Sequence, residues 1–226
     1  MKTMNSISMT YDIISTGSKG NALTLCDNVL VDCGVSFNKL RNHYKKLNLV
    51  LLTHIHIDHF NKTTIKKLAK ERPTLRFGCC KWLVDDLVKC GVKKKNIDIY
   101  DIGKLYKYNE KLKIEPILLY HNVDQCGYRI FIDGYKCLYI TDTNSVDGIT
   151  AKDYDYYFIE ANYVENEIQE KIKAKETLGI YCYEKDVILN HLSKEKCDRF
   201  LLDNMSDDSV AIYMHRHEEK EKLKNV

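Results

Sequence analysis

The segment Thr53-His54-Ile55-His56-Ile57-Asp58-His59 constrains this chain more than any other. It follows the apolar run Leu49-Val50-Leu51-Leu52 and crowds three imidazoles and a carboxylate between His54 and His59. Both kinds of group ligate divalent transition metals. At the spacing H-x-H-x-D-H they cannot all share one face of a strand or a helix, because neither periodicity brings them together. On a loop at a strand end they divide into two sets. His54 and His56 then point to one metal, and Asp58 and His59 to a second beside it. Two adjacent metals activate water and hold a phosphate or a carbonyl.

With 226 residues, 44% of them hydrophobic, the chain can enclose one large core. Two Pro and ten Gly argue against long flexible linkers, so residues 1–226 are expected to form a single domain. The net charge of +3 does not by itself mark a nucleic-acid binder. Lys93-Lys94-Lys95 reads as a solvated face. The nine cysteines are odd in number, and no pair has zinc-ribbon spacing. Several sit in apolar, strand-like runs, as Cys137 does in Lys136-Cys137-Leu138-Tyr139-Ile140, and read as small buried hydrophobes in a reducing cytosol. Met1 to Met9 lack the apolar core of a secretory signal, and no apolar run reaches membrane-spanning length. A cytoplasmic location with no membrane partner is expected.

The first part of the chain alternates strand and helix signals. Tyr11–Ser15, Ala22–Cys26, Val29–Cys33, Leu49–Thr53 and Leu75–Cys79 read as strands, with a hairpin turn at Asp27-Asn28. Ser36–Leu47 reads as a helix capped by Ser36, Asn61–Arg72 as an amphipathic helix ended by Pro73, and Trp82–Lys89 as a helix stopped at Gly91. The middle is richer in strands: Ile97–Ile102, Lys104–Tyr108, Lys113–Tyr120, Tyr128–Asp133, Tyr135–Thr141 and Tyr156–Glu160, with Asp133-Gly134 as a tight turn. Helical segments Val164–Lys175 and Lys194–Asn204, a strand Ser209–Met214 and a charged tail Glu218–Lys224 follow. This order predicts an α/β fold, a sandwich of two mixed sheets with helices outside.

Three more chemically capable residues end predicted strands. His121 follows Ile117-Leu118-Leu119-Tyr120, Asp142 follows Leu138-Tyr139-Ile140-Thr141, and His215 follows Ala211-Ile212-Tyr213-Met214. Loops at one edge of a sandwich can converge on a shared site. A carboxylate such as Asp142 offers two oxygens and can bridge two metals.

This constellation resembles the metallo-β-lactamase-fold hydrolases. Asp32, in Leu30-Val31-Asp32-Cys33-Gly34, matches that superfamily's early Asp, and His54, His56, Asp58, His59, His121, Asp142 and His215 match its remaining motif residues. The resemblance implies the αββα fold. It also implies that His54, His56 and His121 bind one metal, that Asp58, His59 and His215 bind the other, and that Asp142 bridges. Asp32 is then a supporting residue that orients a ligand through a hydrogen bond. Ser15-Thr16-Gly17-Ser18-Lys19-Gly20-Asn21, Ile159-Glu160-Ala161-Asn162-Tyr163 and Asn190-His191-Leu192-Ser193 resemble segments of the single-domain YycJ-type nucleases, with the same general order in ribonuclease Z relatives. From this likeness Ser18, Gly20 and Asn21 are expected to contact a substrate phosphate, Asn162 to support the ligands, and His191 to donate a proton to the leaving oxygen. His191 is also the alternative terminal metal ligand, because His215-Arg216-His217 departs from the family's usual ending; His215 is the favoured assignment. Asn122 stands where many relatives carry Asp.

The expected activity is phosphodiester hydrolysis by a dinuclear site containing Zn or Mn, with a hydroxide between the metals as nucleophile and Asp58 as a catalytic residue. The substrate is expected to be DNA or RNA, attacked as by an exonuclease. A cyclic-nucleotide phosphodiesterase and a thioester or lactone hydrolase are the alternatives on the same fold. A homodimer is compatible with the sequence. The length leaves no room for the inserted domain of ribonuclease J types, and no long Gly/Pro-rich arm for gripping tRNA is evident.

Overall fold

The structure, a computed structural model, describes residues 8–215. The first sheet contains β1 (Tyr11–Ser15), β2 (Ala22–Leu25), β3 (Val29–Val31), β4 (Leu49–Leu51), β5 (Arg76–Cys80) and β6 (Ile97–Tyr100), side by side in chain order. The second contains β7 (Tyr106–Lys107), β8 (Leu112–Leu118), β9 (Cys126–Ile132), β10 (Tyr135–Ile140), β11 (Tyr156–Glu160) and β12 (Val210–Met214), also in order. Each sheet starts antiparallel and becomes parallel, from β3 to β6 in one and from β10 to β12 in the other. Helices α1 (Lys62–Glu71), α2 (Val84–Lys89), α3 (Glu165–Thr177), α4 (Glu184–Asn190) and α5 (Lys194–Asn204) complete the mixed α/β sandwich.

Strand alternation explains the apolar runs. Leu49 and Leu51 face the second sheet and pack in one cluster with Tyr128, Tyr139 and Phe158, whereas Val50 between them packs outward with Ile65, Leu68 and Leu83. In β10, Cys137 and Tyr139 face inward, while Leu138 and Ile140 pack outward with Leu192, Cys197 and Phe200. A strand buried on both faces has no polar side to show, so it reads as a continuous hydrophobic run. Seven of the nine cysteines are buried, as expected, and none forms a disulfide.

Several expected boundaries shift. The β2–β3 turn centres on Cys26 and Asp27, at φ 47° and 60°, one residue before the expected pair. Asn28 N–H donates to the Leu25 carbonyl across it. Ser36–Leu47 is not a helix: only Phe37–Leu40 form a 3-10 turn, and Ser36 makes no side-chain cap. The Arg72 guanidinium donates to the carbonyls of Tyr44 and Leu47 beyond that turn. Asn61 does cap α1, accepting from Thr64 N–H at 3.0 Å. The sequence did not suggest α4, whose one buried residue is Glu184 and which carries no apolar stripe. The expected tail Glu218–Lys224 lies outside the described residues. No helix among the described residues is long and apolar enough to cross a membrane.

Gly34 lets the end of β3 approach the His-rich loop backbone to backbone. A Cβ there would lie 1.6 Å from the Asp58 carbonyl oxygen, whereas one on Gly148 meets nothing within 4 Å. Gly34→Ala is expected to destabilise the fold by about 3 kcal/mol, because backbone would have to move. Gly148→Ala, at φ 76°, should cost about 1 kcal/mol from backbone strain alone. Urea unfolding of the two variants checks this; equal midpoints would refute the close packing.

Candidate metal centre

The strand ends of both sheets meet at one edge. Asp32 follows β3, and residues 52–60 follow β4. His121 comes shortly after β8, Asp142 shortly after β10 and His215 directly after β12, while Glu160 is the last residue of β11. Asp32, Asp142 and His215 all have left-handed backbones, at φ 59°, 53° and 50°. Such conformations are costly for residues other than glycine and persist where the surroundings over-determine them. His215 is held by its N–H, which donates to Thr16 Oγ1 at 2.7 Å, and by its carbonyl, which accepts from Asn162 Nδ2 at 3.0 Å.

The side chains form three overlapping groups: His54, His56 and His121; Asp58, His59, Asp142 and His215; and Asp142, Glu160, His191 and His215. In the first, His56 Nδ1 lies 3.1 Å from His54 Nε2 and 3.3 Å from His121 Nε2. In the second, Asp142 Oδ2 lies 2.6 Å from His59 Nε2, and Asp58 Oδ2 lies 3.6 Å from His59 Nε2 and 3.4 Å from His215 Nε2. Asp142 Oδ2 also stands 3.3 Å from His54 Nε2, so its carboxylate links the two groups. In the third, His191 Nδ1 donates to Glu160 Oε1 at 2.6 Å. The two histidines that the sequence left as rival ligands lie side by side: both meet Asp142 and Glu160, and His215 also reaches Asp58.

Surrounding groups set the tautomers. His59 Nδ1 donates to Asp32 Oδ2 at 2.7 Å, and His121 Nδ1 to the Asn190 carbonyl at 3.0 Å. Thr53 Oγ1 donates to Asp32 Oδ1 and stands 3.0 Å from His54 Nδ1, whose N–H it can accept. Each arrangement turns Nε2 to the cluster, so that loss of the proton from that nitrogen gives the form in which an imidazole ligates.

Burial lowers the His54 pKa well below the ordinary imidazole value, and positive charge on His59 adds to the effect. His121 is lowered chiefly by burial. Burial also works against charge on His59, but Asp142 and Asp32 outweigh it and hold that ring well above the usual range. The same balance pushes His215 up to about 10, with Asp142, Asp58 and Glu160 prevailing over burial. Burial raises the Asp142 pKa, yet His59 and His215 overcome it and keep the carboxylate ionised.

The donor set fits divalent metal. Asp142 Oδ1 is buried and makes no hydrogen bond, although His215 Nδ1 lies 3.3 Å away. His59 Nε2 faces both the Asp142 carboxylate and Asn21 Nδ2, the latter at 2.8 Å. A proton on Nε2 satisfies the carboxylate but opposes the amide, and a lone pair does the reverse. A cation shared by imidazole and carboxylate removes that conflict. Mixed imidazole and carboxylate donors suit Zn or Mn.

The other expected site residues divide. Ser18 lines a cleft of about 300 Å³ with His56, Asp58, His121, Asp142, His191 and His215. Gly20 and Asn21 do not offer themselves to a phosphate there. The Gly20 N–H donates to the Gly17 carbonyl at 2.9 Å. Asn21 is fully buried and bonds Gly17, Asp58 and His59, so it braces the loops. Asp32 is fully buried and supports His59 and Thr53, while Asn162 Nδ2 stands 3.0 Å from His215 Nδ1. Glu160 was given no role from the sequence, although it lies in the E-A-N segment singled out there. It is fully buried, and its Oε2 accepts from Thr143 N–H at 3.0 Å.

A model of the β-lactamase superfamily domain matches residues 27–180. The chain belongs to this superfamily. Membership and the clustered donors together indicate a metal-dependent hydrolase. Comparison with curated proteins gives no significant sequence match. Among solved structures, YhfI of Bacillus subtilis, a metallo-β-lactamase fold protein, aligns with a TM-score of 0.67 at 18% identity, over 94% of this chain and 88% of that one. The short form of human tRNase Z aligns with a TM-score of 0.65 at 14% identity, over 91% of this chain and 92% of that one. A diphosphatase of the PhnP family aligns with a TM-score of 0.62 at 14% identity, over 92% and 86%. These likenesses establish the shared fold.

Metal held by His59 and His215 would displace protons from rings whose pKa values are raised. Binding should therefore release protons, and affinity should rise with pH across the neutral range. Calorimetry with zinc in buffers of different ionisation enthalpy measures the release; identical heats would contradict it. Asp32→Asn should weaken metal affinity by about 10–100-fold by loosening the support of His59, as read by competition with a chelator.

Proposed function

We propose that the protein hydrolyses phosphodiesters of nucleic acids or nucleotides, using two divalent ions of zinc or manganese. His54, His56 and His121 would hold one ion, Asp58, His59 and His215 the other, and Asp142 both. When bound, the ions would supply Lewis acidity, lowering the pKa of water and offsetting charge on the phosphate.

The Glu160–His191 pair carries the choice of phosphodiester. A sugar alkoxide is a poor leaving group and needs a proton as its bond to phosphorus breaks, whereas a thiolate departs readily without one. His191 lines the cleft, and its Nδ1 is bonded to Glu160, leaving Nε2 as the ring's other proton site. Burial works against its charge, but Asp142 and Glu160 prevail and push its pKa up to about 9, so it carries a proton at neutral pH. Asp58 also lines the cleft. Burial raises its pKa, but His215 and His59 outweigh that and keep it ionised, able to accept a proton from water. In the balanced step, water oxygen bonds to phosphorus, its proton passes to Asp58, the ester P–O bond breaks, and the departing oxygen takes the His191 proton. The names of two structural neighbours, a tRNase and a diphosphatase, agree with phosphorus–oxygen chemistry.

His191→Ala should retain metal and slow turnover by about 10²–10⁴-fold, with a smaller loss on a 4-nitrophenyl ester, whose oxygen hardly needs a proton. An equal loss on good and poor leaving groups would make His191 a positioning residue. Loss of metal from His191→Ala with retention in His215→Ala would reverse the two assignments.

The acid form of His191 exists below its raised pKa and disappears as pH rises through it. Glu160→Gln removes a charge that raises that pKa, so the alkaline fall in rate should move to lower pH; an unmoved limb would refute the pairing. Asp58→Ala should abolish hydrolysis with a wild-type circular-dichroism spectrum, and an active variant would remove Asp58 from the mechanism.

A further inference from the structure

We infer that two concavities adjoining the catalytic cleft are subsites for the aromatic heterocycles of one phosphodiester substrate. The inference rests on the phosphodiesterase reading and narrows its substrate to a linear diester bearing a nucleobase on both sides.

Each concavity adjoins the cleft and shares lining residues with it. The first, of about 670 Å³, shares His121 and Asn122 with it. The second, of about 420 Å³, shares Tyr183 and Val187. The shared residues differ, so the cleft is bordered by one concavity through the loop after β8 and by the other through α4. Trp82 and Tyr120 line the first concavity, and Tyr163 and Tyr183 the second. Ile55 and Leu118 add apolar wall to the first, and Val164 and Ile168 to the second.

Exposure singles these surfaces out. Tyr120 is 55% exposed, Leu118 47% and Tyr183 43%. An isolated exposed apolar residue is ordinary. These three gather where the concavities adjoin a polar cluster. Aromatic faces stack nucleobases with little regard to sequence. Polar groups stand among them: Asp124 and Asp86, the latter paired with Lys62, line the first concavity, and Lys171 and Lys194, the latter paired with Asp198, line the second. A cyclic nucleotide ties both ester oxygens to one sugar and presents one base, so it can fill one concavity. A linear dinucleotide places a base on each side of its phosphate and can fill both.

Trp82 is the single tryptophan of the chain, so its fluorescence reports on the first concavity. The metal-loaded protein is titrated with the methylphosphonate analogue of dithymidine, which the enzyme cannot cleave as a phosphodiester. Kinetics are measured on thymidylyl-thymidine, cyclic thymidine monophosphate and methyl 4-nitrophenyl phosphate. The analogue should change Trp82 emission. Tyr120→Ala and Tyr183→Ala should each weaken its binding by about 5–100-fold, the range for loss of one base stack. Each should also lower kcat/KM for the dinucleotide relative to the small diester by a similar factor. Tyr120→Phe and Tyr183→Phe should restore both values, which separates stacking from damage to the fold.

Alanine variants that affect dinucleotide and small diester equally would overturn the subsites, as would a cyclic nucleotide that is turned over better than the linear one. Failure to cleave any of the three diesters would overturn the phosphodiesterase reading and this inference with it. Cleavage of the small diester without dependence on either tyrosine would overturn the inference alone.

Discussion

The Asp32 carboxylate is the interaction on which the rest of the site depends. It is fully buried, and a buried carboxylate is tolerated only when its oxygens are well supplied with hydrogen-bond partners. Oδ1 accepts from the N–H and the hydroxyl of Thr53, at 3.0 and 2.9 Å. Oδ2 accepts from His59 Nδ1 at 2.7 Å and from the Tyr139 hydroxyl at 3.0 Å. These four bonds join the end of β3, both ends of the His-rich loop and β10 of the opposite sheet. They orient His59 directly and position the Thr53 hydroxyl beside His54. One residue thus ties the packing of the two sheets to the placement of an imidazole in each donor group.

Parallel strands make such a convergence possible. In both sheets the parallel half ends at the same edge, so the segments leaving β3, β4, β10, β11 and β12 meet there. Left-handed turns at Asp32, Asp142 and His215 bring their side chains into the cluster as the strands end. The local strain is compensated by hydrogen bonds from neighbouring loops and by a core in which strands such as β4 and β10 are buried on both faces. The cluster gathers more negative charge than hydrogen bonds can satisfy, and the orphaned oxygen of Asp142 is the clearest sign. A divalent cation resolves that excess, so the chemistry and the electrostatics point the same way.

Much of the site was legible before folding. H-x-H-x-D-H cannot serve a single helix face or strand face, so a loop whose donors divide into two sets follows from spacing, and the structure gathers His54 with His56 and Asp58 with His59. The chemical types at His121, Asp142 and His215, each close behind an apolar run, identified them as partners. The two-sheet order was equally readable, because alternating runs and turn signals such as Asp133-Gly134 depend on local backbone preferences. The Ser36–Leu47 segment misled: only Phe37–Leu40 form a 3-10 turn, and Ser36 makes no side-chain cap to start a helix. The α4 helix was invisible because it buries a glutamate and no apolar stripe.

The sequence by itself therefore determined which groups can ligate, which runs are core strands and which superfamily the chain resembles, since these are properties of residue type and local spacing. Only the tertiary structure decided how the groups share their partners. It put both His191 and His215 against Asp142 and Glu160 and brought His215 to Asp58, although these residues come from distant segments of the chain. It turned Asn21 inward to brace loops, where the loop motif alone had suggested a phosphate contact. Hydrogen bonds and charge interactions act over a few ångströms of space, and for residues this distant along the chain that separation is set by how the two sheets pack.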